Sequence, residues 1–235
     1  MGRSFEKRKH KMFARWSKMA KGFTKMGKEI AIAVKAGGPQ PDANPRLRMA
    51  MQNAKAINMP KDRIEAAIKR ASEKSSANFE EVVYEGYGPY GVAILIECAT
   101  DNPIRTVANI RMYLTRAEGT LGTSGSLSFV FDRKGVFRVS AEGRNIEELE
   151  LELIDHGMDE IEEDENELVI YTPFNDIGGM QKALEEKGIA VISAEKQRIP
   201  TSFKELTEEQ EEEVNKLIEQ IEEDDDVQAV YSNIK

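Results

Sequence analysis

The sequence predicts an α+β protein: an N-terminal helical bundle followed by two α/β domains with antiparallel sheets, one ferredoxin-like and inserted into the other. Three observations lead there. Apolar residues keep a helical period through about residue 75, then switch near Asn78 to short strand-like runs punctuated by glycine. From Lys134 the elements follow the order strand, helix, strand, strand, helix, strand, which is the split βαβ arrangement. The chain then ends in one more helix and one more strand.

In the first region, Phe5, Met12, Phe13, Trp16, Met19, Ala20 and Phe23 fall within about 120° of one another on a helical wheel. Lys7, Lys11, Arg15, Lys18 and Lys21 fall largely opposite, and Lys9 interrupts the pattern. A second helix is expected over 24–36, stopping at Gly37-Gly38. Asn44-Pro45 supplies an N-cap and a first-turn proline for a helix to about Ile57, and Pro60 opens the last one, with Ile64, Ala67, Ile68 and Ala71 at helical spacing.

Val82–Glu85 and Val92–Glu97 read as a hairpin joined by the glycine-rich turn 86–91, and Asp101-Asn102-Pro103 starts a helix to about Glu118. The loop 119–126 leads to an expected strand Leu127–Phe131. Strands are then expected at 136–140, 158–163, 167–172 and 190–198, with helices at 146–155 and 176–187. An acidic helix (207–223) and a strand (227–231) close the chain. Residues 79–131 lack a partner helix and a fourth strand, which the C-terminal pair can supply. The expected domains are therefore 1–77, 78–132 plus 201–235, and 133–200.

Charge is divided along the chain. Residues 1–75 carry 19 Lys/Arg against 6 Asp/Glu, whereas the remaining residues carry 14 against 36, giving the overall net of −9. Like charges at i,i+4 on a helix cost a few tenths of a kcal/mol each, so the run Lys7/Lys11/Arg15 disfavours the isolated helix. Clustered cations instead suit a polyanion, because neutralising phosphates releases condensed counterions. A basic amphipathic helix with Trp and Phe also suits an anionic membrane surface, but here the apolar stripe is needed to pack the other helices. No run approaches the ~18 apolar residues of a membrane span, and no apolar segment of a secretory signal follows the basic start. Cys98 is the sole cysteine, which precludes an intrachain disulfide and fits a reducing compartment, the cytoplasm.

Other candidates are weaker. The loop 119–126 offers backbone N–H groups for a phosphate, but it lacks the Lys-Ser/Thr ending of a nucleotide loop and runs from helix to strand. Arg133–Val139 faintly echoes an RNA-binding strand with its aromatic spacing wrong. Tyr84, Tyr87 and Tyr90 could stack bases, but strand and turn tyrosines are more often packing residues. The carboxylates at 208–213 and 222–226 have no cation-loop spacing. His10 and His156 are isolated, so no metal, cofactor or catalytic constellation is expected, and an enzyme is not.

Several motifs, taken in order, resemble the YebC/PmpR family. They are Gly37-Gly38, Asn44-Pro45-Arg46-Leu47-Arg48, Asn58-Met59-Pro60-Lys61-Asp62 and Tyr84-Glu85-Gly86-Tyr87-Gly88-Pro89. Thr100-Asp101-Asn102 with Arg105-Thr106, Leu121-Gly122 with Gly125-Ser126, and Arg133-Lys134-Gly135 continue the match over most of the chain. The resemblance implies a helical domain and two α/β domains. It also implies a cytoplasmic DNA-binding regulator of transcription or, as in mitochondrial relatives, a ribosome-associated translation activator. Met1-Gly2-Arg3-Ser4-Phe5 departs from the Gly-His-Ser-Lys-Trp start of many members, so contacts made there do not carry over.

The expected function is thus non-enzymatic regulation of gene expression through nucleic acid, either DNA or ribosomal or transfer RNA with the ribosome. Arg8, Lys11, Arg15, Lys18, Lys21, Arg46, Arg48, Lys61 and Arg63 are the expected phosphate contacts. Base or shape reading would fall to the loops 86–91 and 119–126. The acidic domains either orient the protein by repelling phosphate or present a surface to a protein partner.

Overall fold

The computed structural model describes the backbone of residues 3–73 and 78–235 and the side chains of 20–73 and 78–235. Residues 1–79 and 80–235 form two compact units.

Among its described residues the first unit contains three α-helices: α1 (Arg3–Gly37), α2 (Pro45–Ala56) and α3 (Lys61–Ser72). The break expected before residue 24 is absent, and α1 runs unbroken for 35 residues, about 52 Å at 1.5 Å per residue. Nothing between residues 20 and 27 forces a break. The Thr24 hydroxyl donates to the Ala20 carbonyl at 3.1 Å, within the helix. The apolar positions expected at Phe5 through Met19 lie outside the described side chains. Among the described ones, Ile30, Ala33 and Val34 of α1 meet Leu47, Ala50, Ala54, Ile64 and Ala71, with Phe23 and Met26 packed alongside.

Asn44 fastens this unit. It is buried (3 % exposed). Its amide nitrogen donates to the carbonyls of Ala33 and Gly38, each at 2.8 Å. Its Oδ1 accepts the Leu47 N–H at 3.0 Å, capping α2. One side chain thus satisfies the end of one helix and the start of the next. Gly37 permits this approach, since a Cβ there would lie 2.8 Å from the Asn44 amide carbon. Gly38 takes the left-handed φ of 85° that reverses the chain. At the far end of α2, Asn58 (φ 59°) donates to Lys55 O at 2.8 Å, and Met59 N–H reaches Ala54 O at 2.9 Å. That is the double-bonded helix ending in which the following apolar residue, here Met59, enters the core.

In the second unit, β1 (Glu80–Tyr87) and β2 (Ala93–Thr100) form the expected hairpin, followed by α4 (Pro103–Arg116) and the short β3 (Thr120–Leu121). Then come β4 (Phe131–Ser140), α5 (Ile146–Ile154), β5 (Glu160–Asp164), β6 (Glu167–Pro173), α6 (Ile177–Glu186) and β7 (Val191–Pro200). The chain ends with α7 (Glu208–Glu222) and β8 (Val227–Ser232). The first sheet has the order β3-β1-β2-β8 and the second β5-β6-β4-β7, all neighbours antiparallel. The second sheet is ferredoxin-like and is completed before the chain returns to place β8 beside β2.

Strand β2 is buried on both faces. Ile94, Ile96 and Cys98 pack under α4 and α7 with Ile110, Leu114, Val214, Leu217 and Ile221. Ala93 and Leu95 meet Leu127, Val130 and Phe131 on the other side. The strand expected at Leu127–Phe131 is instead a series of turns, and β4 begins earlier than expected, at Phe131. Alternation would have put Leu127, Phe129 and Phe131 on one face; the structure buries 127, 130 and 131 and leaves Phe129 75 % exposed.

Two buried carboxylates hold the first sheet together. Glu85 on β1 accepts the N–H groups of Gly125 (2.9 Å) and Leu127 (2.6 Å), which fixes the turns. Asp226, just before β8, accepts from the hydroxyls of Thr100 (3.1 Å) and Thr106 (2.9 Å) and from Arg105 Nη2 (2.6 Å). Arg105 also reaches Asp101 at 2.9 Å. The bond to Asp226 first, and that to Asp101 second, raise its guanidinium pKa further above its ordinary value. The Thr100-Asp101-Asn102 and Arg105-Thr106 motif is therefore the latch for the returning strand.

Asn44→Ala should lower the stability of the first unit by about 2 kcal/mol, through loss of the cap and of two carbonyl partners. Urea unfolding followed by far-UV circular dichroism checks this, and a loss below about 0.5 kcal/mol would contradict the fastening role. Asp226→Ala should cost about 3 kcal/mol, because it removes the acceptor shared by two buried hydroxyls and leaves Arg105 with Asp101 alone. Calorimetric unfolding with no resolvable change would remove the latch from the account.

Candidate nucleic-acid interface

Cations dominate the described surface of the first unit: residues 20–73 carry 11 Lys/Arg against 5 Asp/Glu. Of the expected phosphate contacts, Arg8, Lys11, Arg15 and Lys18 lie outside the described side chains. Lys21 is half-buried on α1. Arg46 and Arg48 occupy the first turn of α2, both half-buried. Arg48 has a structural task as well, since its Nη1 donates to Pro41 O (2.9 Å) and Asp42 O (3.0 Å) and braces the turn before α2. Lys61 and Arg63 open α3 and are exposed. Lys61 makes a loose pair with Glu65 at 3.7 Å, worth little at such exposure. The Arg63 guanidinium lies 6.0 Å from the centre of the Phe23 ring.

Four further exposed cations escape a reading based on charged helix faces: Lys35, Lys55, Lys69 and Arg70. Each sits in the last turn of its helix, where a cation complements the helix dipole. That position was the available signal. Among the described residues, Lys35, Lys55, Arg63, Lys69 and Arg70 form no ion pair. A concentration of exposed positive charge without acidic partners can do one chemical thing well, which is to neutralise a polyanion.

The loops expected to read bases have other occupations. In 119–126, the amide of Gly125 is already bonded to Glu85. At the 86–91 turn, Tyr90 has φ 60° and its hydroxyl donates to the Glu213 carboxylate. That bond first, then burial and the charges of Glu213, Glu118 and Glu209, raises the phenol pKa. Such an anionic neighbourhood repels phosphate.

The strand Arg133–Val139, with its echo of an RNA-binding strand, lies within β4. Ile177 of α6 packs onto Gly135, so positions 135, 137 and 139 face the helices, and Lys134 and Arg138 face away. On that outer face Lys134 pairs with Asp159 at 2.5 Å, and Arg138 with Asp164 (2.9 Å) and Glu167 (3.1 Å). Tyr171 donates to Glu162 at 3.2 Å. The outer face is therefore an ion-paired surface rather than a cationic stacking platform.

Among the described residues no group of three or more His, Cys, Asp or Glu is arranged to hold a metal ion, and no helix is long and apolar enough to cross a membrane.

The comparisons agree along the whole chain. The TACO1/YebC protein N-terminal domain matches residues 3–74, and the TACO1/YebC second and third domain matches residues 79–234. A Flavobacterium johnsoniae protein named "probable transcriptional regulatory protein" is 57 % identical over 235 residues, covering 100 % of this chain and 99 % of the relative. A Cytophaga hutchinsonii protein of the same name is 58 % identical over 234 residues, covering 100 % and 98 %. The crystal structure of a conserved hypothetical protein from Aquifex aeolicus superposes with a TM-score of 0.78 at 39 % identity, covering 92 % of this chain and 90 % of that one. With both of its units matched and its relatives aligned over nearly their full length, this chain belongs to the TACO1/YebC family.

Proposed function

We propose that the protein is a non-enzymatic regulator of gene expression that docks on the phosphodiester backbone of nucleic acid through its first unit. The observation that carries this reading is the set of exposed cations there, Lys35, Lys55, Arg63, Lys69 and Arg70, which form no ion pair among the described residues. The names of the relatives support a role in transcription, and on this reading the target is DNA and the protein works in the cytoplasm. Arg8, Lys11, Arg15, Lys18, Lys21, Arg46, Lys61 and Arg63 are the proposed phosphate contacts, and Arg48 adds its charge from a position held by two carbonyls. These contacts position the protein and carry no base information.

We further propose a division of labour among three domains, 1–77, 78–132 with 201–235, and 133–200. The two α/β domains, rich in carboxylates, keep phosphate on the first unit by repulsion and leave a surface for a protein partner.

Salt titration tests the docking. For duplex DNA, the logarithm of affinity should fall linearly with that of salt, with a slope of about −0.9 per phosphate neutralised. Lys61→Glu with Arg63→Glu should make the slope shallower by about 2 and weaken low-salt binding at least about tenfold. Thermal unfolding should stay within about 0.5 kcal/mol of the parent. Reversing Lys11, Arg15 and Lys18 to Glu should abolish binding with equally small effect on unfolding. An unchanged slope in the double variant, or unfolding in either, would contradict the proposal.

A further inference from the structure

We infer that the junction where β4 begins and β7 ends is a second nucleic-acid contact, one that takes unpaired bases. The inference rests on the nucleic-acid reading above and adds a base-binding surface to a phosphate-binding one.

The local charge is the first observation. Residues 80–235 carry 14 Lys/Arg against 36 Asp/Glu, yet four of those cations, Arg133, Lys196, Arg198 and Lys204, fall in two short segments at this junction, while Lys134 beside them is ion-paired on the opposite face. The β4–β7 register places Arg133 directly opposite Arg198. Like charges opposed across a ladder destabilise it. The Arg133 guanidinium lies 3.3 Å from the centre of the Phe174 ring, and Lys196 Nζ lies 6.0 Å from it. Burial first, then Arg198, lowers the Arg133 pKa below its ordinary value, against the opposing pull of the Glu97 and Glu81 carboxylates. Arg198 has one strong acidic partner, Glu97 at 2.8 Å. Arg133 and Lys196 thus gather around one ring, with Arg198 opposite Arg133 and tied to Glu97, in an otherwise anionic unit.

The second observation is aromatic. Phe129 is 75 % exposed and Phe203 58 % exposed. Both sit on well-fixed backbone. Val130 N–H donates to Leu127 O at 2.9 Å, Thr201 N–H to Val130 O at 2.8 Å, and Lys204 N–H to Asn233 O at 2.7 Å. The Thr201 hydroxyl donates to Phe129 O at 3.0 Å, which ties the two segments side by side. Phe129 precedes Arg133 by four residues and Phe203 follows Arg198 by five, so ring and charge are within about 17 Å along the chain. Ser128, Thr201, Ser202 and Lys204 beside the rings are exposed.

Exposed rings on a fixed backbone, with cations and hydroxyls nearby, are what a single strand needs, since bases stack on the rings and phosphates meet the charges. A duplex offers no base face for stacking. A protein partner fits less well, because charged residues are depleted at the centre of protein–protein contacts. The ligand chemistry, an unpaired base flanked by phosphates, is shared by melted DNA and by RNA loops.

The full chain, titrated with single-stranded DNA, single-stranded RNA and duplex DNA of equal length by fluorescence anisotropy, separates the possibilities. Phe129→Ala with Phe203→Ala should weaken single-strand binding about tenfold or more and change duplex binding by less than about twofold. Phe129→Trp with Phe203→Trp should retain single-strand affinity, which a loss of folding could not mimic. A loss confined to RNA assigns the surface to RNA, and a loss on both single strands assigns it to unpaired bases of either kind. If the alanine variant binds single strands like the parent while duplex binding persists, the inference fails alone. If the parent binds none of the three probes, the nucleic-acid reading itself fails.

Discussion

The architecture of the second unit depends on one requirement: β2 is buried on both faces and needs a hydrogen-bonding neighbour along each edge. Its sequence neighbour β1 fills one edge. The other is filled by β8, which arrives only after the whole ferredoxin-like sheet has been built. The Asp226 carboxylate makes that return specific, because it meets the end of β2 and the start of α4 at once through Thr100, Thr106 and Arg105. Immediately before β8 in the chain, α7 covers the apolar face with Val214, Leu217 and Ile221. A small number of buried polar contacts thereby sets a long-range pairing that hydrophobic burial alone leaves unspecified.

Charge follows a different logic. In the second unit cations tend to be matched, as with Arg138 between Asp164 and Glu167 and Lys187 with Glu152. In the first unit the exposed lysines and arginines at helix ends have few acids to meet. The helix dipoles account for part of this placement, at a few tenths of a kcal/mol to about 1 kcal/mol each. They do not account for Arg63, at the start of α3, where the dipole disfavours a cation. A polyanionic partner accounts for both placements.

Much of the fold was legible in the sequence, and for identifiable reasons. Asn44-Pro45 and Asn58-Met59-Pro60 are local signals whose chemistry is complete within a few residues, and both act as helix punctuation. The βαββαβ order is carried by periodicity, and the return of the last strand follows from counting unfilled places in the first sheet. The failures arise where tertiary contact overrides local pattern. Leu127–Phe131 alternates like a strand, but Glu85 takes the amides of 125 and 127 and turns the segment, which turns Phe129 outward. The continuity of α1 past residue 24 rests on the absence of a breaker, a weaker signal than the presence of one. Arg48 reads as a surface charge, yet its acceptors are backbone carbonyls that no charge pattern displays. The cluster of Arg133, Lys196 and Arg198 is assembled by strand register across some sixty residues, so composition alone could not place it.

The most direct test of the cationic docking surface is ultraviolet crosslinking in living cells, with mass spectrometry of the crosslinked peptides and sequencing of the attached nucleic acid. Crosslinks should include peptides within residues 1–79, on a defined population of nucleic acid. Recovery of the protein with no nucleic acid attached, or with crosslinks confined to residues 80–235, would contradict the account.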